Sequence, residues 1–206
     1  MVWSPFSNLL LYGGTAEVAA AKQAGVRMGI GSDWSPSGSK NLLGELKVAR
    51  LVSQEGGGIF SDADIVALAT TKAAEILRWE ARLGSLQAGK RADFLVLEGT
   101  PADPYAALIK AVEGSIRLVM INGVPRYGAP AIMNQLGASG ENLTVDGKKK
   151  VLCLAQKTAD PDVAPIALKQ AETALSQALR DLPELQLPAA PPPERSKTDQ
   201  LRRAAI

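Results

Sequence analysis

The sequence contains no histidine among its 206 residues. Histidine is the commonest metal ligand in proteins and a frequent general acid or base, because it titrates near neutral pH. Without it, this chain alone cannot build a histidine-ligated metal site or a Ser-His-Asp triad. Any enzymatic interpretation of the sequence has to account for this absence.

Cysteine, one-sided charge and long apolar runs are also scarce. The single cysteine, Cys153, cannot form an internal disulfide, so we expect a reducing compartment, the cytoplasm, and an unreactive core thiol. A net charge of +2, from 23 basic and 21 acidic residues, argues against a nucleic-acid or membrane partner. No apolar run is long enough to cross a bilayer, and Met1 is not followed by the pattern of a signal peptide.

The stretch from Val26 to Trp34 is predicted to be a buried strand that ends in a carboxylate. Val26, Met28 and Ile30 are apolar, and this character stops at Asp33, which a Ser- and Gly-rich loop follows. An acidic side chain at the carboxyl end of a strand is where α/β folds place their chemistry. On position alone, a role for Asp33 in capping the following loop stays open.

Residues 1–55 are predicted to form a strand, a helix, a second strand and a second helix. The first helix is expected over 16–24, with Thr15 as N-cap and Gly25 as a left-handed C-cap. The second is expected over 41–54, with Glu45 on its polar side. Ser4 to Asn8 is expected to be a loop beside Asp33, in which Asn8 either shapes the loop or contacts a substrate. Ser61 and Asp64 resemble a capping box that opens a third helix over 62–79.

The residue pattern of the sequence changes near residue 82, from helical periodicity to short segments separated by glycine. Phe94–Leu97 and Ile116–Ile121 are predicted strands, and Asn122-Gly123 is a strong hairpin signal, so 82–128 is predicted to be a small β module. In the extension 129–182, a further strand is expected over 151–154 and an amphipathic helix over 166–182. The preceding lysines 148–150 are interpreted as a solvated flank. The Pro-rich tail 183–206 is expected to be disordered.

Several of these motifs, in this order, resemble a known family. The run from Trp3 to Leu9, the run from Ala24 to Asp33, and the run from Leu83 to Phe94 are similar to parts of the amidohydrolase superfamily. The first two resemble the seventh and eighth strands of its barrel. The third resembles the segment in which the chain of that family passes from the barrel back into its small β-sandwich. The nearest branch is that of the cytosine and guanine deaminases and the triazine chlorohydrolases, of which only the C-terminal portion is matched.

The resemblance implies a fold: the C-terminal part of a TIM-like (β/α)8 hydrolase barrel over 1–81, with part of a β-sandwich over 82–128. It also implies a metal-dependent hydrolase of carbon–nitrogen bonds, deaminase-like, with zinc or iron as the divalent metal. Asp33 would ligate the metal and shuttle the proton, while Asn8, Trp34 and Ser37 would contact a small-molecule substrate, a nitrogen heterocycle being the candidate. The family's metal-ligating histidines and six of its barrel strands would precede Met1.

Three interpretations therefore stand side by side. The first is the C-terminal part of a deaminase-like hydrolase, for which the isolated chain is predicted to be inactive. The second is a non-catalytic truncated or split-gene product with a structural role that needs an upstream half-chain. The third, an unrelated small α/β binding module, is disfavoured by the order of the motifs. Two macromolecular partners are compatible with these interpretations: a second copy of the chain, and the upstream half-chain.

Overall fold

The contacts of the chain divide it into two units, each with its own core. The computed structural model describes residues 1–154 and 166–182. In that part of the chain, the first unit takes in residues 1–91 and 99–112, and the second takes in 92–98, 113–154 and 166–182. The domain boundaries that the sequence suggests, at 82 and 129, remain a prediction. Among the helices that the structure describes, none is both long and apolar enough to cross a membrane.

Two short parallel strands lie at the centre of the first unit. Strand β1 (Val2–Trp3) pairs with β2 (Gly29–Ile30), with Trp3 opposite Ile30. The described residues of the same unit also form the helices α1 (Pro5–Tyr12), α2 (Val18–Gln23), α3 (Leu42–Glu55), α4 (Asp62–Ala69), α5 (Thr71–Leu77) and α6 (Pro104–Lys110). Apolar side chains from both strands and from helices α2, α3, α4 and α6 form one buried cluster. A parallel strand pair with helices between its strands is an α/β arrangement, as predicted.

Helix α1 replaces the loop that the sequence suggests over residues 4–8. Pro5 stands in the first turn, where its fixed φ favours a helix and its missing N–H costs nothing. Gly13, at φ 69°, ends the helix in the left-handed conformation. Thr15 is also not a helix cap. Its hydroxyl accepts a hydrogen bond from the indole N–H of Trp3 at 2.7 Å, and α2 begins only at Val18.

The helix predicted over 62–79 is broken into α4 and α5 at Thr70, whose φ and ψ are −128° and −94°. The break lies against β2, where the chain backbones come very close. A Cβ added to Gly29 would lie 3.3 Å from both the Leu68 carbonyl oxygen and the Ala73 Cα. Glycine at this position therefore lets the helix pair pack directly on the strand. Strand β2 is shorter than the predicted strand, because it pairs with β1 only at Gly29 and Ile30.

The predicted capping box at the start of α4 is confirmed. Ser61 Oγ accepts from the Asp64 N–H at 3.1 Å, and Asp64 Oδ2 accepts from the Ser61 N–H at 3.0 Å. We expect Ser61→Ala to lower the free energy of unfolding by about 1 kcal/mol in urea titrations, because a first-turn N–H loses its acceptor. The exposed Ser35→Ala is the control and should change it little. Equal losses for both would contradict the cap.

The backbone hydrogen bond from Ser61 also lowers the pKa of Asp64 below its ordinary value of 3.8. A lowered folded-state pKa means that the unfolded chain takes up the proton first as the pH falls. The stability from this carboxylate is therefore fully present above pH 3.8 and is lost below it. Asp64→Asn should remove that part of the acid dependence, and the effect should be small because the side chain is half exposed.

In the second unit, the residues that the structure describes form an antiparallel sheet of five strands in the order β3-β4-β5-β7-β6. Its strands are β3 (Phe94–Leu97), β4 (Ile116–Ile121), β5 (Val124–Gly128), β6 (Glu141–Val145) and β7 (Lys148–Leu152). Asn122-Gly123 joins β4 to β5 as predicted, with both residues at positive φ. The Asp93 carboxylate accepts from the Asn122 N–H and supports that turn. Helices α7 (Pro130–Gln135) and α8 (Leu168–Asp181) belong to the same unit, and Met133 packs with Leu118 and Val151 in its core.

The basic run 148–150 is not a solvated flank, because it forms most of strand β7. Lys148 and Lys149 are exposed, as expected, but Lys150 is only 3% exposed. Strand β6 and helix α7 are absent from the prediction, whereas the amphipathic helix is confirmed as α8. Cys153 is half-buried and not in a disulfide, and it packs beside the core of this unit. The expected disorder of 183–206 concerns residues outside the described part of the chain.

Candidate functional site

Asp33 lies just beyond the end of β2, at the exposed edge of the first unit. Its φ is 62°, a left-handed conformation that Asp tolerates at a cost of about 1 kcal/mol. Its Oδ2 accepts a hydrogen bond from the Ser7 hydroxyl at 2.7 Å. Within the described part of the chain, the structure shows no other hydrogen bond to this carboxylate. One oxygen is therefore held, while the other has no hydrogen-bond partner in the described part of the chain, on a residue that is itself exposed.

Ser7 and Ser37 form the buried support of this carboxylate. They are 1% and 3% exposed, and their hydroxyl oxygens lie 3.1 Å apart. Ser7 has a single hydroxyl proton and gives it to Asp33, so the Ser37 hydroxyl donates to Ser7. Strand β1 and the first turn of α1 bring Ser7 to this point, and the loop after β2 brings Ser37.

Glu45 is the residue at this site that the sequence pattern fails to find. It was expected on the polar side of α3, but it is completely buried. Its Oε2 accepts from the Phe6 N–H at 3.1 Å, and its Oε1 accepts from the N–H and the hydroxyl of Ser39 at 3.1 and 2.6 Å. A buried carboxylate is stable only when such donors surround it. Glu45 thus ties the start of α1 and the Asp33 loop to α3.

The loop between Asp33 and α3 is tightly folded. A Cβ added to Gly38 would lie 1.7 Å from the Ser32 carbonyl oxygen, so only glycine fits there. Trp34 in this loop is 65% exposed. Asn8, the remaining predicted site residue, is half-buried on α1, one residue after Ser7. The structure therefore joins Asp33 and Ser37 through Ser7, while substrate contacts of Asn8, Trp34 and Ser37 stay a prediction.

The described residues of this chain do not fit a complete metal site. Within residues 1–154 and 166–182, no three His, Cys, Asp or Glu side chains come together as ligands for an ion. A structural or catalytic zinc ion takes at least three protein ligands, and the chain has no histidine to supply them. Asp33 is one carboxylate, oriented by one hydroxyl, which can accept and release a proton at an exposed edge.

Curated proteins similar to this chain are hydrolases. The 5-methylthioadenosine/S-adenosylhomocysteine deaminase of Symbiobacterium thermophilum is 33% identical over 131 residues, which cover 58% of this chain and 30% of that protein. The S-triazine hydrolase of Gordonia rubripertincta is 34% identical over 130 residues, covering 58% and 27%. The chain thus spans less than a third of the length of these relatives.

Solved structures show the same likeness. A zinc-bound adenosine deaminase from Xanthomonas campestris superposes with a TM-score of 0.55 at 26% identity, covering 61% of this chain and 31% of that one. The guanine deaminase of E. coli gives a TM-score of 0.51 at 28% identity, covering 59% and 32%. The partial coverage agrees with a match to the C-terminal portion of such enzymes. The model of the amidohydrolase family matches residues 3–126, which are more than half of this chain. The chain therefore belongs to the amidohydrolase family.

Proposed function

We propose that this chain is the C-terminal portion of a hydrolase of carbon–nitrogen bonds, deaminase-like, in which Asp33 is the proton-carrying carboxylate. The observation that supports the proposal is the Asp33 carboxylate itself, held on one oxygen by buried Ser7 at 2.7 Å and open on the other. Left-handed backbone at a residue that is not glycine is a cost that folds retain at functional sites more often than elsewhere.

The chemistry follows from what a fixed carboxylate can do. In hydrolysis of an amidine-like or amide carbon, the attacking water has to lose a proton and the leaving nitrogen has to gain one. Asp33 takes the proton on its exposed oxygen and passes it to the nitrogen, while the Ser7 hydroxyl keeps the other oxygen in place. The substrates are small nitrogen heterocycles, similar to the adenosine derivatives and triazines for which the relatives are named.

A barrel of eight strands and a β-sandwich are part of the same proposal. The first unit contributes two parallel strands with their helices, corresponding to the seventh and eighth of the barrel. The metal, zinc or iron, would bind with Asp33 as one of its ligands. Because the described residues do not complete that site and the chain has no histidine, the isolated chain is proposed to be inactive.

A chimera tests the proposal. In the Symbiobacterium thermophilum deaminase, the stretch of 131 aligned residues is replaced by the corresponding stretch of this chain. We expect the folded chimera to release ammonia from 5-methylthioadenosine and Asp33→Asn to lower kcat at least about 100-fold. Asn tolerates the left-handed backbone as Asp does, so this substitution removes only the carboxylate. The exposed Glu80→Gln is the matched control and should leave kcat unchanged.

The zinc-loaded isolated chain should release no ammonia from the same substrate. Turnover by the isolated chain would contradict its predicted inactivity. A chimera that melts cooperatively but shows no turnover would contradict the hydrolase proposal and favour the structural role of a truncated or split-gene product.

A further inference from the structure

The buried carboxylate of Glu45 joins two segments that are far apart in the sequence, the start of α1 and the loop after β2. Phe6, which donates to one of its oxygens, immediately precedes Ser7. Ser39, which donates twice to the other oxygen, lies two residues after Ser37. Ser7 and Ser37 are the two residues whose hydroxyls meet beneath Asp33. Glu45 therefore holds both sides of the Ser7–Ser37 contact from within helix α3.

We infer that Glu45 is a positioning residue for Asp33, which it never touches. Its carboxylate fixes the start of α1 and the loop 33–41 at the separation at which Ser37 donates to Ser7 and Ser7 donates to Asp33. Hydrogen bonds to a carboxylate are about twice as strong as those between neutral groups, and two of the three donors here are backbone N–H groups with little freedom to move away. The consequence for catalysis rests on the proposed function, whereas the geometric consequence does not.

The burial of Glu45 separates this inference from a simple role in folding. The core could be filled by an apolar side chain at this position, as it is by Leu46, Ala49 and Val52 on the same helix. A carboxylate costs desolvation free energy that an apolar side chain does not. Its retention is accounted for by the three donors, and these all come from the two segments that carry the support of Asp33.

The experiment compares Glu45→Gln with Glu55→Gln, the same change on an exposed residue at the end of α3. In the full 206-residue chain, we expect Glu45→Gln to shift the amide resonances of Ser7, Asp33 and Ser37 in two-dimensional NMR spectra. It should also speed exchange of the Phe6 and Ser39 amides at least about 10-fold, and leave the Gly29 and Gly31 amides of the strand pair unchanged. Glu55→Gln should do none of this. Unchanged resonances at Ser7, Asp33 and Ser37 would overturn the inference.

Kinetics of the chimera supply the second readout. We expect Glu45→Gln to lower kcat about 10-fold with KM within about twofold, and Ser7→Ala to add no further loss in the Glu45→Gln background, because Glu45 acts through Ser7. Fully multiplicative losses would overturn the inference. If the unsubstituted chimera is inactive, the proposed function fails while the NMR comparison still decides the role of Glu45. Should Glu45→Gln fail to fold, Ser39→Ala removes one donor from the loop side and should shift the same three resonances by less.

Discussion

Replacement of Trp3 by alanine should lower the free energy of unfolding of the first unit by about 3–5 kcal/mol, which is the usual cost of deleting a buried tryptophan side chain. Trp3 is 1% exposed and lies on the strand that pairs with β2. Its ring packs against Phe60 with a centroid distance of 6.0 Å, and its indole N–H donates to Thr15 Oγ1 at 2.7 Å. Alanine would lose the apolar burial and leave a large cavity between β1 and the helices.

Urea unfolding followed by circular dichroism measures the effect, and two further variants sharpen it. Trp3→Phe keeps an aromatic ring but removes the indole donor, so it should cost less than alanine. The exposed Trp34→Ala deletes the same side chain from the loop beside Asp33 and should change the free energy of unfolding by less than about 0.5 kcal/mol. Similar losses for Trp3→Ala and Trp34→Ala would show that Trp3 is not part of a cooperative core.

Features that depend on neighbouring residues were predictable from the sequence. The capping box of Ser61 and Asp64, the Asn122-Gly123 turn and the amphipathic helix α8 each follow from residues a few positions apart. The position of Asp33 at the end of a strand was also predictable from neighbouring residues, although β2 is shorter than the apolar run. The resemblance to the amidohydrolases is also confirmed, because it rests on the order of such local motifs.

Features that depend on partners distant in the sequence could not be predicted. Thr15 has the chemistry of an N-cap, but its hydroxyl meets the indole of Trp3, 12 residues away. Glu45 fits the polar side of a helix, and nothing near it in the sequence reveals that Phe6, 39 residues away, needs an acceptor. Periodicity assigns a charged residue to solvent unless its partner is known. The buried support of Asp33 could therefore be recognised only once the fold had brought α1, the loop and α3 together.

The same reason explains the misjudged lysine run. Three consecutive lysines are typical of a solvated segment, but in a strand successive side chains point to opposite faces. Val151 faces the core formed with Leu118 and Met133. Lys150, its neighbour, faces the other side of the sheet, and there its Nζ donates to the carbonyl oxygens of Gly114 and Ile116. Those acceptors lie more than 30 residues earlier in the chain.

Replacement of Lys150 by alanine should lower the free energy of unfolding of the second unit by about 3 kcal/mol. The substitution leaves the carbonyl groups of Gly114 and Ile116 without this donor and a cavity where the aliphatic stem was packed. It also frees the Gly114 residue on one side, since Lys150 holds its carbonyl and Asp146 accepts from its N–H at 2.8 Å. Lys149→Ala, the same change at the exposed neighbouring position, should cost less than about 0.5 kcal/mol.

The pH dependence of the stability lost in Lys150→Ala, compared with that lost in Lys149→Ala, gives a second and sharper test. Burial, aided by the nearby charge of Lys148, lowers the pKa of Lys150 below its ordinary value of 10.5. As the pH rises toward 10.5, the folded chain loses this proton before the unfolded chain does, so the unfolded state binds more protons and the stability from Lys150 increases. A neutral amine still has two N–H groups for its two carbonyl acceptors. The loss caused by Lys150→Ala should therefore be larger at pH 10 than at pH 7, while that of Lys149→Ala stays constant. A loss that shrinks with rising pH would mean that the charge itself, rather than the two donated hydrogen bonds, holds Gly114 in place.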